Sequence, residues 1–271
     1  MADVEIFVCA SRKNLNDVAK LKLPSNRKVI TAEASGFEDN IDSLNPWYCE
    51  TSVLYALWKN SKADIIGLEH YRRFLISNGK ILDDGKIKDL LKNHDIICCL
   101  LGNPKNVSNE RNLKTHIERG FIGFPYTKEH TCKISWMFDG FLNYLATIPE
   151  YKGFSDYVRS RWAKSVTIVK GNMFIARKSV VEPWLKMMFD GLSAYFEKDG
   201  VELDNTNVRS VGWVFEFLFC LWCEWKKLRI ATTEFVEYDK NFGNKRVYRS
   251  ERALVYAVNK PVRTVVDDWE D

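Results

Sequence analysis

No stretch of this chain stays apolar for the roughly 18 residues that a membrane-spanning helix requires. The nearest approach, Val211 to Cys223, is interrupted by Glu216. A disulfide framework is missing too. The seven cysteines are an odd number, two of them (Cys98 and Cys99) are adjacent, and Met1-Ala2-Asp3-Val4 does not open a signal peptide. The expectation is a reducing, cytoplasmic compartment. Metal-ligand spacing is absent, because His70, His94, His116 and His130 are scattered. So are Gly-x-Gly-x-x-Gly, the phosphate-loop pattern and Gly-x-Ser-x-Gly, and the last absence disfavours a serine hydrolase. A net charge of +4 is too small to argue for nucleic acid by itself. With no internal repeat, low-complexity run or clear linker, residues 1–271 are expected to form a single domain.

What is present is ordinary in bulk and rich in rings. Of 271 residues, 46% are hydrophobic and 28% charged, as in a globular enzyme with a sizeable core. The 9 Trp, 11 Tyr and 16 Phe can fill that core or form platforms for sugars and bases. Val4 to Ala10 reads as an opening strand that ends in the polar turn Ser11-Arg12-Lys13-Asn14. Lys28 to Ala32 is a second strand, followed by the polar loop Phe37 to Leu44. Asn45-Pro46 predicts a helix start, and Tyr48, Thr51, Leu54, Tyr55 and Trp58 carry one helical face as far as Lys59. Ala63 to Leu68 is the next strand, then a helix from Asp83 to Asn93 and a strand from Asp95 to Leu101. Residues 102–131 read as loop-rich and basic. Helices are expected over Trp136–Leu145, Tyr151–Trp162, Val180–Phe196 and Ser210–Lys226, with strands at Val166–Ala176 and Arg229–Thr232 before a basic, partly irregular tail. The rhythm favours an α/β sheet.

The most informative segment is Ile65-Ile66-Gly67-Leu68-Glu69-His70-Tyr71-Arg72-Arg73-Phe74. A charge cluster framed by apolar residues on both sides suggests a strand that delivers its end to the crevice where open α/β sheets bind ligands. Two guanidiniums and an imidazole there suit a phosphate or diphosphate. The alternative is a strand end whose arginines pair with acidic neighbours. Alternation places Glu69, Tyr71 and Arg73 on one face and His70 and Arg72 on the other, so the five do not all reach one ligand.

Glu216 is the only charge among Trp213, Phe215, Phe217, Phe219 and Trp222. An apolar setting raises a carboxyl pKa, as a general base requires. A structural pair with Arg209 or Arg73 is the other reading. Gly171-Asn172 interrupts an apolar strand, where Gly permits close backbone approach and Asn offers a donor and an acceptor to sugar hydroxyls; a bulge in a core strand explains it equally. Cys220-x-x-Cys223 lies inside an aromatic helix and reads as core.

Several blocks together resemble a domain of bacterial capsular polysaccharide and exopolysaccharide biosynthesis proteins. They are Ile6 to Lys13, Asp39-Asn40-Ile41, Asn45-Pro46-Trp47-Tyr48-Cys49-Glu50-Thr51, Leu54 to Asn60, Gly67 to Phe74 with its His-Tyr-Arg-Arg signature, Asn172 to Ile175, and Arg209 to Glu216. The resemblance is dense over residues 5–75 and sparse over 170–220. It implies a GT-A-like (Rossmann-like) mixed sheet flanked by helices, with a loop-rich middle, a nucleotide-binding half at 1–101 and an acceptor-side half with the tail at 102–271. It also implies a glycosyltransferase, hexosyl- or pentosyl-, that uses a nucleotide-sugar donor (a UDP-sugar favoured) and a glycan or lipid-linked oligosaccharide acceptor in capsule or polysaccharide biosynthesis.

Under that reading Ala10, Ser11, Asp39, Asn40, Tyr48 and Asn172 hold the nucleotide and sugar, and Arg12, Lys13, Arg72 and Arg73 face the diphosphate. Glu216, Glu69 and His70 are the catalytic candidates, Glu216 as base for the acceptor hydroxyl if the reaction inverts the anomeric centre. Such enzymes usually carry Asp-x-Asp after a central strand to hold a divalent metal; here Glu69-His70-Tyr71-Arg72-Arg73 stands in that place. Cations can stabilise the leaving diphosphate instead. No cofactor is firmly expected, and Mn²⁺ or Mg²⁺ is open but not favoured. A cytoplasmic enzyme without a transmembrane segment is expected, with peripheral membrane contact as an open alternative. The competing functions are a sulfo- or nucleotidyltransferase, or a nucleic-acid module using Arg111, Lys114, Arg119, Lys128 and Lys133 with Phe121, Phe124 and Tyr126.

Overall fold

A computed structural model describes residues 3–101, 128–161, 168–239 and 244–249. The basic middle from Arg111 to Tyr126, on which the nucleic-acid reading rests, and the end of the tail lie outside the described residues.

Ten described strands form one mixed sheet. The strand β1 (Val4–Ala10) runs parallel to β2 (Arg27–Thr31) on one side and to the central β3 (Ile65–His70) on the other. After β3 the chain turns back as β4 (Arg73–Ser77) and closes the Asn78-Gly79 hairpin with β5 (Lys80–Ile81). Both turn residues have positive φ, 52° and 72°, the conformation that Asn-Gly supplies in a two-residue hairpin. Beyond β3 lie β9 (Phe174–Arg177), antiparallel, then β6 (Ile96–Cys98) and β10 (Ile230–Thr232). A separate short pair joins β7 (Leu100–Leu101) to β8 (Ile168–Val169). Part of the expected irregular tail is ordered: β11 (Glu234–Tyr238) and β12 (Lys245–Tyr248) extend the sheet from β4.

Strand period determines the two faces of this sheet. Phe7, Ile66, Leu68, Phe174 and Ala176 face the helices Thr51–Asn60, Lys178–Asp199 and Ser210–Trp225. Ile6, Ile65, Ile97 and Ile175 face the helix Asp84–Asn93. Gly67 is required between them, since a Cβ there would sit 2.8 Å from Ile175 Cγ1 and 2.9 Å from the Phe174 carbonyl oxygen. The helix expected from Asp83 begins at Asp84, with Asp83 as its cap, the carboxylate accepting from the Lys86 N–H at 2.8 Å.

The aromatic richness goes largely to packing. Trp184 lies against Phe215, Phe219 and Trp222 with centroids 5.5–6.0 Å apart. Each such ring, fully buried, contributes about 1.5–3 kcal/mol. Cys220 and Cys223 belong to this core, and burial pushes both thiols far up.

Two expected elements are broken, and both breaks matter. The single helix expected to run through to Lys59 is two helices, Asn45–Tyr48 and Thr51–Asn60, separated at Cys49, whose φ is 53°. Asn45, expected as a cap, bridges the break instead: its amide donates to the Cys49 carbonyl at 2.8 Å and to Ser52 Oγ at 3.0 Å. The strand expected over Val166–Ala176 is interrupted by a tight turn, Lys170–Asn172, in which Gly171 and Asn172 have φ of 62° and 55°.

Candidate active site

The carboxyl ends of β1, β2, β3, β6 and β10 lie on one edge, and antiparallel β9 begins there. Both chain breaks open onto this edge. Gly171 holds the corner through its two peptide groups. Its carbonyl accepts from His70 Nε2 at 2.6 Å, which requires the proton on that nitrogen, and its N–H donates to Glu216 Oε1 at 3.0 Å. A Cβ at Gly171 would lie 2.7 Å from His70 Nε2. The neighbouring Asn172 amide donates to Glu50 Oε1 at 2.9 Å and to the Gly212 carbonyl at 3.2 Å. The Glu50 carboxylate is 4.0 Å from His70 Nε2. The corner thus gathers two carboxylates, an imidazole and an amide from four elements distant in sequence.

Conformational strain concentrates in the same place. Cys49, Asn172 and Arg209 (φ 68°) are three of the five non-glycine residues with positive φ among the described residues. Each costs on the order of 1–3 kcal/mol and persists only where its surroundings over-determine it. The Arg209 N–H donates to the Pro46 carbonyl at 2.8 Å, tying the start of the Ser210–Trp225 helix to the Asn45–Tyr48 turn. Gly212 allows that approach, because a Cβ there would be 3.1 Å from the Tyr48 carbonyl oxygen and 3.3 Å from Cys49 Sγ. Burial, then the Glu50 charge, raise the Cys49 thiol to about 12 against the opposing pull of Arg209. At neutral pH it is a thiol and no nucleophile.

The expected residues divide into three groups. Glu216, His70 and Asn172 meet at the corner, although Asn172 is buried and its amide is committed to Glu50 and Gly212. Ala10, Ser11, Arg12 and Lys13 stand at the end of β1. Ala10 is buried, Arg12 and Lys13 are exposed, and the Ser11 hydroxyl accepts from Asn14 at 2.9 Å. Asp39 and Asn40 pin their own loop, Asp39 by accepting from the Tyr55 hydroxyl at 2.9 Å and Asn40 by donating to the Phe37 carbonyl at 2.6 Å. Burial and Asp39 push the Tyr55 phenol up to about 12.

The third group lies elsewhere. Tyr48 is buried in the aromatic core, stacked 6.2 Å from Phe189, and does not line the crevice. Glu69 is on the opposite face from His70, fully buried, with Arg27 Nε 3.0 Å from one of its oxygens and Arg27 Nη2 3.1 Å from the other. It also accepts the Leu75 N–H at 2.9 Å. Arg73 is turned to Glu237 of β11 at 2.6 Å, and Arg72 is 3.7 Å from the same carboxylate. The strand end carries one carboxylate, Glu69, and that group is held by Arg27. Among the described residues no three His, Cys, Asp or Glu side chains are grouped to hold a metal ion.

Glu50, Cys49 and Gly212 were not singled out from sequence as site residues. The one available signal is the block Asn45-Pro46-Trp47-Tyr48-Cys49-Glu50-Thr51, which carries both Cys49 and Glu50. The break at Cys49, which directs Glu50 to the corner, is set by the Asn45 amide and by contacts with residues 209–212.

Residues 17–227 match the family described as Domain of unknown function (DUF4422), and the chain belongs to that family. No curated protein matches it. Among solved structures it is similar to the apo form of WbbM, described as a bifunctional glycosyltransferase, with a TM-score of 0.66 and 19% identity. The likeness covers 86% of this chain but only 45% of that one, so the chain spans less than half of its structural relative. At this identity the likeness establishes the fold, a GT-A-like mixed α/β sheet flanked by helices. No helix among the described residues is long and apolar enough to cross a membrane.

Proposed function

We propose that the protein is a glycosyltransferase that moves a sugar from a nucleotide-diphosphate donor, a UDP-sugar favoured, to a hydroxyl of a growing glycan, with capsular or related polysaccharide as the product class. The observation that supports this reading is the strained corner at the carboxyl edge of a glycosyltransferase-like sheet, where Glu216 is held by the Gly171 N–H beside Glu50 and His70. Glu216 acts as the general base. As the acceptor oxygen forms its bond to the anomeric carbon, the hydroxyl proton passes to Glu216, the bond from the sugar to the diphosphate breaks, and the nucleoside diphosphate leaves with the electron pair. Arg12 and Lys13, exposed at the end of β1, are assigned to the donor phosphates. Arg72, loosely paired with Glu237, is the further cation within this reading, and Arg73 is assigned to holding β11. Glu69 and Tyr48 are assigned to the fold.

Transfer is proposed to run without a divalent ion, because the residue in the metal-ligand place is already bound to Arg27. A thermal-shift panel of nucleoside diphosphates and their sugars, with single-stranded DNA and RNA alongside, tests the donor class. Stabilisation by one nucleoside diphosphate and its sugars is expected, and stabilisation by nucleic acid alone would refute it. Turnover should survive EDTA; loss that Mn²⁺ restores would show that the cation scheme is wrong.

A further inference from the structure

We propose that His70 is a positioning residue that holds the base Glu216 through the peptide groups of Gly171. The kinetic part of this inference rests on the glycosyltransferase reading; the structural part does not. Glycine at positive φ is the least restrained residue a chain can place at a corner, yet this corner carries the hydrogen bond that fixes Glu216. Each of the two peptide groups flanking Gly171 is hydrogen-bonded to a side chain. The carbonyl on one side takes the His70 proton at 2.6 Å, and the N–H on the other reaches Glu216 Oε1 at 3.0 Å. His70 comes from the end of β3 and Glu216 from the Ser210–Trp225 helix, so the corner links two elements across the crevice. Next to it, Asn172 is tied to Glu50 and to the Gly212 carbonyl of that same helix, closing a second bridge. Glu50 lies 4.0 Å from the same His70 Nε2, farther than the Gly171 carbonyl that takes its proton.

The His70 ring packs directly on Gly171, since a Cβ there would lie 2.7 Å from Nε2 and 3.1 Å from Cε1. A group placed this way acts through the backbone, and its loss should appear in turnover more than in donor binding. Misplacing a catalytic group by about 1 Å can cost about 10²-fold.

The experiment compares His70→Ala and His70→Gln in the full chain; the glutamine amide nitrogen reaches about as far as Nε2 and can donate to the same carbonyl. Glycine ¹⁵N with carbonyl-labelled lysine isolates the amides of the two Lys-Gly pairs, Lys152-Gly153 and Lys170-Gly171. The amide altered by Glu216→Gln is that of Gly171. In His70→Ala its hydrogen exchange should accelerate at least about tenfold as the corner loosens, and in His70→Gln it should return towards the native rate. With the donor sugar that the thermal-shift panel identifies, kcat should fall about 10²-fold in His70→Ala, the donor KM should stay within about twofold, and His70→Gln should recover most of kcat. Unchanged exchange of Gly171 in His70→Ala would overturn the inference. So would a His70→Gln variant with native exchange and no turnover, because His70 would then act on the substrate itself. If His70→Ala fails to fold, His70→Asn, whose amide falls short of Gly171, takes its place. A native chain that transfers no sugar would refute the proposed function, while the exchange rates would still decide whether His70 holds the corner.

Discussion

The two faces of β3 at its carboxyl end set two neighbouring residues in opposite roles. Glu69 is directed to the sheet face that carries the Asp84–Asn93 helix, its side chain fully buried, and satisfied by Arg27 and the Leu75 N–H. His70, one residue on, turns to the crevice and meets Gly171, with Glu50 beyond it. A motif that reads as one charged cluster in the sequence is therefore a structural anchor on one face and part of the candidate site on the other. Strand alternation rather than composition decides which is which.

The comparison can be broken most directly at Glu216, the carboxylate on the crevice side. Glu216→Gln should lower turnover by about 10²- to 10⁴-fold and leave donor binding and the melting temperature near native. Steady-state kinetics beside calorimetry checks it, and retained turnover would remove Glu216 from the mechanism. On the other face the effect should reverse in kind. Glu69→Ala strands a buried guanidinium and should cost about 3–5 kcal/mol of stability, read by urea unfolding, while the fraction still folded keeps its turnover. The double change Arg27→Met with Glu69→Leu sharpens the point, since replacing both partners by apolar groups should recover most of that loss.

Smaller effects are expected at the sheet extension. Burial raises the Glu237 carboxyl, but Arg73, then Tyr248 and Arg72, outweigh it and hold the group below the usual carboxylate range. A depressed carboxyl contributes its stability above the unfolded value of about 4.3, and that contribution is lost as pH falls through the lower folded value. Glu237→Gln should cost about 1–3 kcal/mol at neutral pH and flatten the acid limb of the stability profile. Smallest should be Asp95→Asn. Burial raises this carboxyl, yet hydrogen bonds and charge from the exposed Arg229 bring it below its ordinary range. The sign is the same, with the contribution lost below about pH 4, and the loss at pH 7 should stay within about 1 kcal/mol.

The sequence carries the alternation of β1 and β3, the aromatic helix Ser210–Trp225 and the helix ending at Asn93 openly, because each follows from residues near one another in the chain. Glu216 stands out for the same reason, as one charge in an apolar run. The sequence marks Gly171-Asn172 as an interruption of an apolar strand, but the helical pattern continues across Cys49, where the Asn45 amide and contacts from residues 209–212 break it. Glu50 was missed with the break at Cys49. The Arg27–Glu69 pair joins residues 42 positions apart, and nothing near either residue announces the other. The arginines after His70 looked available to a ligand because Glu237, their partner, lies in a segment that reads as irregular tail.

The Arg27–Glu69 pair also acts as a register pin for the central strands. If β3 slipped by one residue against β1, every side chain on it would change face. His70 would then be driven against the Arg27 guanidinium, and Glu69 would emerge in the crevice, leaving a buried cation without its counter-charge. The correct pairing is separated from that alternative by several kcal/mol, a margin that a purely apolar contact at the same position, indifferent to which hydrophobic residue faces it, would not provide.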